Sequence, residues 1–206
     1  VGLTLVTRNS GSHAPPIDAG TYVVEATVND PNYTGSAEAT LIIQPASQQI
    51  QGFSLPASVM FGSEDLDLSG TASSGLPVSY ASSNTNVARV LDDRLQIVGV
   101  GEVQITAIQA GDANWESVQA TRSLAVAPKE ATVVFNANDL RQTYNGNPRT
   151  VAAITTPPGL AVETVCRDAS NTVVANPINA GAYEVLASIV DSRYSGEATA
   201  TLIIER

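Results

Sequence analysis

The residues best placed to do chemistry recur together. Asp30-Pro31-Asn32-Tyr33, Asp112-Ala113-Asn114-Trp115 and Asp191-Ser192-Arg193-Tyr194 share the form Asp-x-x-aromatic. The oxygens of Asp112, Asn114 and Asp191 are hard donors of the kind Ca2+ takes, although no Asp-x-Asp-x-Asp-Gly loop is present. Calcium is therefore the one cofactor these residues allow. They have a second use: an Asp can bond the backbone two residues on and close its own turn, while the aromatic covers the core. Exposed instead, Tyr33, Trp115 and Tyr194 would offer rings to a carbohydrate or a host surface protein.

Other reactive types are scattered. Paired carboxylates, as at residues 64–67 and 92–93, do acid–base work only when they converge in a cleft with their pKa values split. No His, Arg or aromatic wall is implied near Asp65 and Asp67, so they read as solvated edge charges. His13, the only histidine, cannot make a metal site or a triad alone. Lys129, the only lysine, falls at a border between repeats rather than mid-strand, which argues against an internal isopeptide bond. Cys166 alternates with Val162 and Thr164 and reads as a small buried hydrophobe. Gly99-Val100-Gly101 leads into a strand, not a helix, so it is no phosphate loop. No catalytic set emerges, and the reading is a non-enzyme.

The loops sit inside a repeat. Residues 177–204 align with residues 16–43 without a gap, and 16 of the 28 positions are identical, which marks a repeated module. In the later copy Tyr183, Val185, Ala187 and Ile189 alternate with Glu184, Leu186, Ser188 and Val190. Ala198, Ala200, Leu202 and Ile204 alternate with Thr199, Thr201 and Ile203, and period two is the signal of half-buried strands. Each pair of strands is entered through Asp18-Ala19-Gly20-Thr21-Tyr22 or Asn179-Ala180-Gly181-Ala182-Tyr183. That spacing resembles the tyrosine corner of immunoglobulin-like sandwiches, with Val24 and Val185 where a disulfide cysteine would stand. The alternative is a plain turn before a strand. A third, divergent copy places Gly99 to Ile105 on the same entry, with Val103 in place of the tyrosine.

Eight short alternating pieces between residues 49 and 126, broken by turn signals such as Ser74-Gly75 and Asp92-Asp93, predict an antiparallel sandwich with no helix. Expected borders follow Gln44 and Ala127, giving residues 1–44, 45–127 and 128–206, each of the last two large enough for its own core. The first has no counterpart of residues 131–135 and 149–154, and reads as the rear half of a module cut from a longer protein. Its face of Tyr22, Val24, Ala26 and Val28 would then need covering, by other residues of that protein or by a two-fold partner. The formal charge of −10 argues against nucleic acid and anionic membrane surfaces as partners, and no apolar run is long enough for a membrane helix. The single cysteine excludes an intrachain disulfide.

Residues 72–84, with Val87-Ala88, 97–101 and Ile105-Thr106-Ala107, resemble a bacterial immunoglobulin-like repeat. Tyr144-Asn145-Gly146, Pro157-Pro158-Gly159-Leu160, Asn179-Ala180-Gly181-Ala182-Tyr183 and Tyr194-Ser195-Gly196 resemble the "mostly bacterial, glycine-rich" (MBG) domain, of which residues 1–43 match the rear half. The resemblance implies tandem sandwiches arranged head to tail in a large extracellular surface or secreted protein of the adhesin type. There they would act as a spacer whose partners are its neighbouring repeats, with carbohydrate or host-protein binding as the alternative. In such an arrangement residues 112–115 meet residues 44–46, and residues 191–194 meet residues 127–130.

Overall fold

The computed structural model describes residues 2–8 and 14–206; the loop position of His13 lies outside them. The chain is all-β, with several sheets packed in sandwich fashion. The first segment is one antiparallel sheet in the order β1 (Gly2–Arg8), β2 (Gly20–Asn29), β3 (Ser36–Ile43).

The middle segment runs β4 (Ile50–Gln51), β5 (Ser58–Met60), β6 (Leu66–Asp67), β7 (Thr71–Ala72), β8 (Ser79–Ser82), β9 (Ala88–Leu91), β10 (Arg94–Ile97), β11 (Gly101–Gln109) and β12 (Val118–Ala127). Sheet β5-β12-β11-β8 packs against β6-β10-β9 and the β4-β7 pair. Alternation places Val103, Ile105 and Ala107 inward on β11, against Leu95, Ile97 and Leu124, and period two alone explains that face.

The last segment holds β13 (Lys129–Glu130), β14 (Thr132–Phe135), a 3-10 turn (Ala137–Asp139), β15 (Arg141–Thr143), β16 (Ala153–Thr156), β17 (Val162–Arg167), β18 (Gly181–Ile189), β19 (Tyr194–Ser195) and β20 (Glu197–Glu205). Sheet β15-β20-β18-β17 faces the β14-β16 pair, and Val133, Phe135, Val185, Leu202 and Ile204 fill the space between. Cys166 is buried in that core as a free thiol, and burial raises its pKa because the thiolate would lose hydration.

Two features differ from the sequence-based expectation. The sandwiches are not wholly antiparallel: β5 pairs parallel with β12, β15 with β20, and β13 with β19. Strands β7, β13, β15 and β19 were not foreseen, because pieces of two or three residues are too short to show a period.

The repeated strands have different surroundings in the two copies. Val185 and Ala187 are wholly buried beneath β14 and β16, whereas their counterparts Val24 and Ala26 are only partly buried. Among the described residues no second sheet covers β1–β3.

At the entry to these strands the Tyr22 hydroxyl donates to the Asp18 carbonyl at 2.8 Å and the Tyr183 hydroxyl donates to the Asn179 carbonyl at 3.0 Å. A Cβ at Gly20 would meet the Tyr22 hydroxyl at 3.3 Å, so the ring lies tightly over that glycine; at Gly181 the nearest ring atom would be 3.7 Å away. Both tyrosines are buried. Tyr183→Phe keeps the ring and strands the Asn179 carbonyl, so it is expected to lower stability by about 1–2 kcal/mol. An unchanged unfolding midpoint in urea would show that the hydroxyl contributes nothing.

Candidate functional site

The Asp-x-x-aromatic loops close three hairpins: β2–β3, β11–β12 and β18–β20. In each, Asp accepts from the backbone two residues on. Asp30 Oδ1 takes the Asn32 N–H at 2.9 Å, Asp112 Oδ1 the Asn114 N–H at 2.8 Å, and Asp191 Oδ1 the Arg193 N–H at 3.0 Å. Asp112 Oδ1 also receives the Trp115 N–H at 2.9 Å. Gly111, one residue earlier, has φ +78°, and a Cβ there would sit 2.5 Å from the Trp115 carbonyl, so only glycine fits this close turn.

With their own amides capped, the loops bond outward. At the first junction Ala46 N–H donates to the Asn114 carbonyl at 2.8 Å, and Glu116 N–H donates to the Ala46 carbonyl at 2.9 Å. The Asn114 carboxamide then reaches the first segment. Its Oδ1 accepts the Ala19 N–H at 2.7 Å and its Nδ2 donates to Asp18 Oδ1 at 2.9 Å. One side chain thus uses both ends of its amide, as a backbone peptide would in a ladder.

At the second junction Lys129 N–H donates to the Arg193 carbonyl at 3.0 Å and Ala131 N–H to the Ser195 carbonyl at 2.8 Å. The side-chain contacts are different in kind. Tyr194 meets Phe61 of the middle segment edge-on at 5.8 Å, and the Arg193 guanidinium lies 5.6 Å from the Phe61 ring centre. Arg193 is held by Asp191 through its Nε at 3.0 Å and Nη2 at 2.7 Å. Those bonds to Arg193 pull the Asp191 carboxyl down to about 2.

A buried amide pair, missed in the sequence, fixes the middle hairpin. Gln48 Nε2 donates to Gln109 Oε1 and, at 2.6 Å, to the Glu116 carbonyl. Gln109 Oε1 also accepts the Gly111 N–H at 2.6 Å, and the Ser74 hydroxyl donates to Gln48 Oε1 at 2.5 Å. Both glutamines are buried. The signal was available: Gln109 continues the inward parity of Val103, Ile105 and Ala107, a polar residue where the period demands an apolar one.

The remaining sequence candidates fall as follows. Asp112 and Asp191 lie in separate hairpins, Asn114 is engaged with Asp18 and Ala19, and among the described residues no three His, Cys, Asp or Glu groups converge on a metal position. Tyr33 is 63% exposed, while Trp115 and Tyr194 are half-buried at the two junctions. The expectation of no arginine near Asp65 and Asp67 is corrected. Arg94 donates to the Asp65 carbonyl at 3.1 Å and lies 3.7 Å from Asp67, an exposed pair of little energetic weight. Asp92, at φ +53°, and Asp93 form the turn between β9 and β10.

A family model described as MBG domain matches residues 1–47 and 131–206, more than half of the chain. The chain belongs to the MBG domain family. Residues 48–130 lie between the two matched stretches. No curated protein matches the chain. Among solved structures it is similar to three N-terminal domains of the bacteriophage RB49 outer capsid protein Hoc, at 12% identity and TM-score 0.35, covering 100% of this chain and 88% of that one. It is also similar to Sidekick-1 immunoglobulin domains 1–5, at 16% identity and TM-score 0.31, covering 98% of this chain and only 52% of that one. Domains 4–9 of surface layer protein SbsC follow at 13% identity and TM-score 0.29, covering 98% and 39%. At these scores the likenesses carry no conclusion for this chain. Among the described residues no helix is long and apolar enough to cross a membrane.

Two outcomes are expected for this MBG chain. Gln109→Leu strands the Gly111 N–H and the Gln48 amide inside the middle segment, and is expected to cost about 1–3 kcal/mol by denaturant unfolding; wild-type stability would remove the network from the account. Because the carboxyl pKa of Asp191 is lowered in the folded state, its contribution is present above the ordinary value of 3.8 and is lost only as pH falls through about 2. A carboxyl NMR titration should therefore give a midpoint near 2, returning toward 3.8 in Arg193→Ala. A midpoint of 3.8 in the unaltered protein would dissolve the pair.

Proposed function

We propose that this chain is a non-catalytic spacer in a large extracellular bacterial surface or secreted repeat protein of the adhesin type, holding other domains at a distance. Its units are residues 1–44, 45–127 and 128–206. One observation carries the reading: at both borders the hairpin of the following unit also grips the preceding one, Asn114 bonding Asp18 and Ala19, and Tyr194 and Arg193 packing on Phe61. Pro45 limits φ, and Ala46 has both its backbone groups bonded to the hairpin of its own unit. Around Pro128 the Ala127 carbonyl accepts the Phe61 N–H at 2.8 Å, while Lys129 and Ala131 are bonded to Arg193 and Ser195. Joints tied from both sides resist bending, the property a spacer needs.

Small-angle scattering tests this. An extended rod is expected, with a maximum dimension far beyond that of a globule of 21.3 kDa. A compact particle would sink the proposal, and so would saturable carbohydrate binding lost in Tyr33→Ala, which would favour the binding reading instead.

A further inference from the structure

The end of the last unit repeats, uncovered, two surfaces that are covered elsewhere in the chain. The first is the corner. Asn179 and Ala180 align with Asp18 and Ala19, which receive the Asn114 carboxamide. Ala19 is half-buried by that contact, whereas Ala180 is exposed. Among the described residues neither the Asn179 carboxamide nor the Ala180 N–H has a hydrogen-bond partner. An asparagine at residue 179 can accept from an incoming amide as the carboxylate of Asp18 does, and Ala180 offers the same N–H.

The second surface is an aromatic one. Strand β5 pairs parallel with β12 up to Met60 opposite Ala127, and the next residue, Phe61, donates its N–H to the Ala127 carbonyl at 2.8 Å. Strand β15 pairs parallel with β20 up to Thr143 opposite Glu205, and the next residue, Tyr144, donates its N–H to the Glu205 carbonyl at 2.7 Å. Tyr144 is thus the positional equivalent of Phe61. Phe61 is met by Tyr194 and Arg193 of the following unit, while Tyr144 is 49% exposed. Tyr144, Asn179 and Ala180 line one open recess of about 490 Å³ together with Arg206.

We propose that this recess is a docking surface for the hairpin loop of a further β-sandwich unit of the middle kind, one bearing Asp-x-Asn-Trp. The asparagine bridges Asn179 and Ala180, and the loop's aromatic packs on Tyr144. This rests on the spacer reading and deepens it, because it names which kind of repeat fits after an MBG unit. The middle kind is favoured over another MBG unit by the corner. The middle hairpin is the one seen seated on an MBG corner, through Asn114 on Asp18 and Ala19, whereas the hairpin of the last unit carries at the matching position Arg193, already held by Asp191.

The test is a chain in which Arg206 is followed by a second copy of residues 46–127, a stretch that contains the whole of its own buried core. Amide hydrogen exchange is read at Ala19 and Ala180. In the 206-residue chain Ala19 should exchange about tenfold or more slowly than Ala180, the ratio that one net hydrogen bond provides. In the extended chain Ala180 should slow to match Ala19, and Asn114→Ala in the added copy alone should restore its fast exchange. Exchange at Ala180 that is unchanged by the extension overturns the proposal, as does slowing that survives the Asn114→Ala change. Fast exchange at Ala19 in the original chain would instead overturn the spacer reading itself.

Discussion

Each junction depends on a loop that satisfies its own amides first. An aspartate accepts the backbone N–H two residues on, and the loop's carbonyls are left facing the incoming strand. Ala46 and Lys129 bond to those carbonyls, at Asn114 and Arg193. The first residues of the middle and last segments are thereby held by the last hairpin of the same segment.

On that shared backbone the two junctions use different side-chain chemistry. The first is a carboxamide bridge to Asp18 and Ala19; the second is a ring and a guanidinium against Phe61. Neither set would serve the other junction: an arginine at residue 114 could not accept the Ala19 N–H, and an asparagine at residue 193 could not cover Phe61. Each hairpin is thus matched chemically to the surface it meets. The middle hairpin is further stiffened by Gln48 and Gln109, whose burial is tolerable because each amide is bonded.

Most of the strands, the family and the meeting of residues 112–115 with Ala46 were legible in the sequence. Period two is a local property, and a gapless internal repeat carries its strand order with it. The tyrosine spacing was legible for the same reason, since Tyr22 and Tyr183 bond carbonyls only four residues away. Gln109 could have been read as an anomaly of parity, though nothing in the sequence names Gln48 as its partner.

What the sequence by itself determined is therefore the local content: which residues alternate, that an aspartate such as Asp112 can close its own turn, and which segments are copies. That the first copy lacks counterparts of residues 131–135 and 149–154 was also legible; tertiary structure decided which strands lie over the second. Val24 and Val185 occupy the same place in the repeat, yet only Val185 is wholly buried, because β14 and β16 lie over it. Phe61 and Tyr144 share no sequence motif, and their equivalence arises from parallel pairing of β5 with β12 and of β15 with β20. The physical reason is that burial and sheet register are set by pairing between residues far apart in the chain, and a pattern of neighbouring residues does not specify which distant strand will complete it.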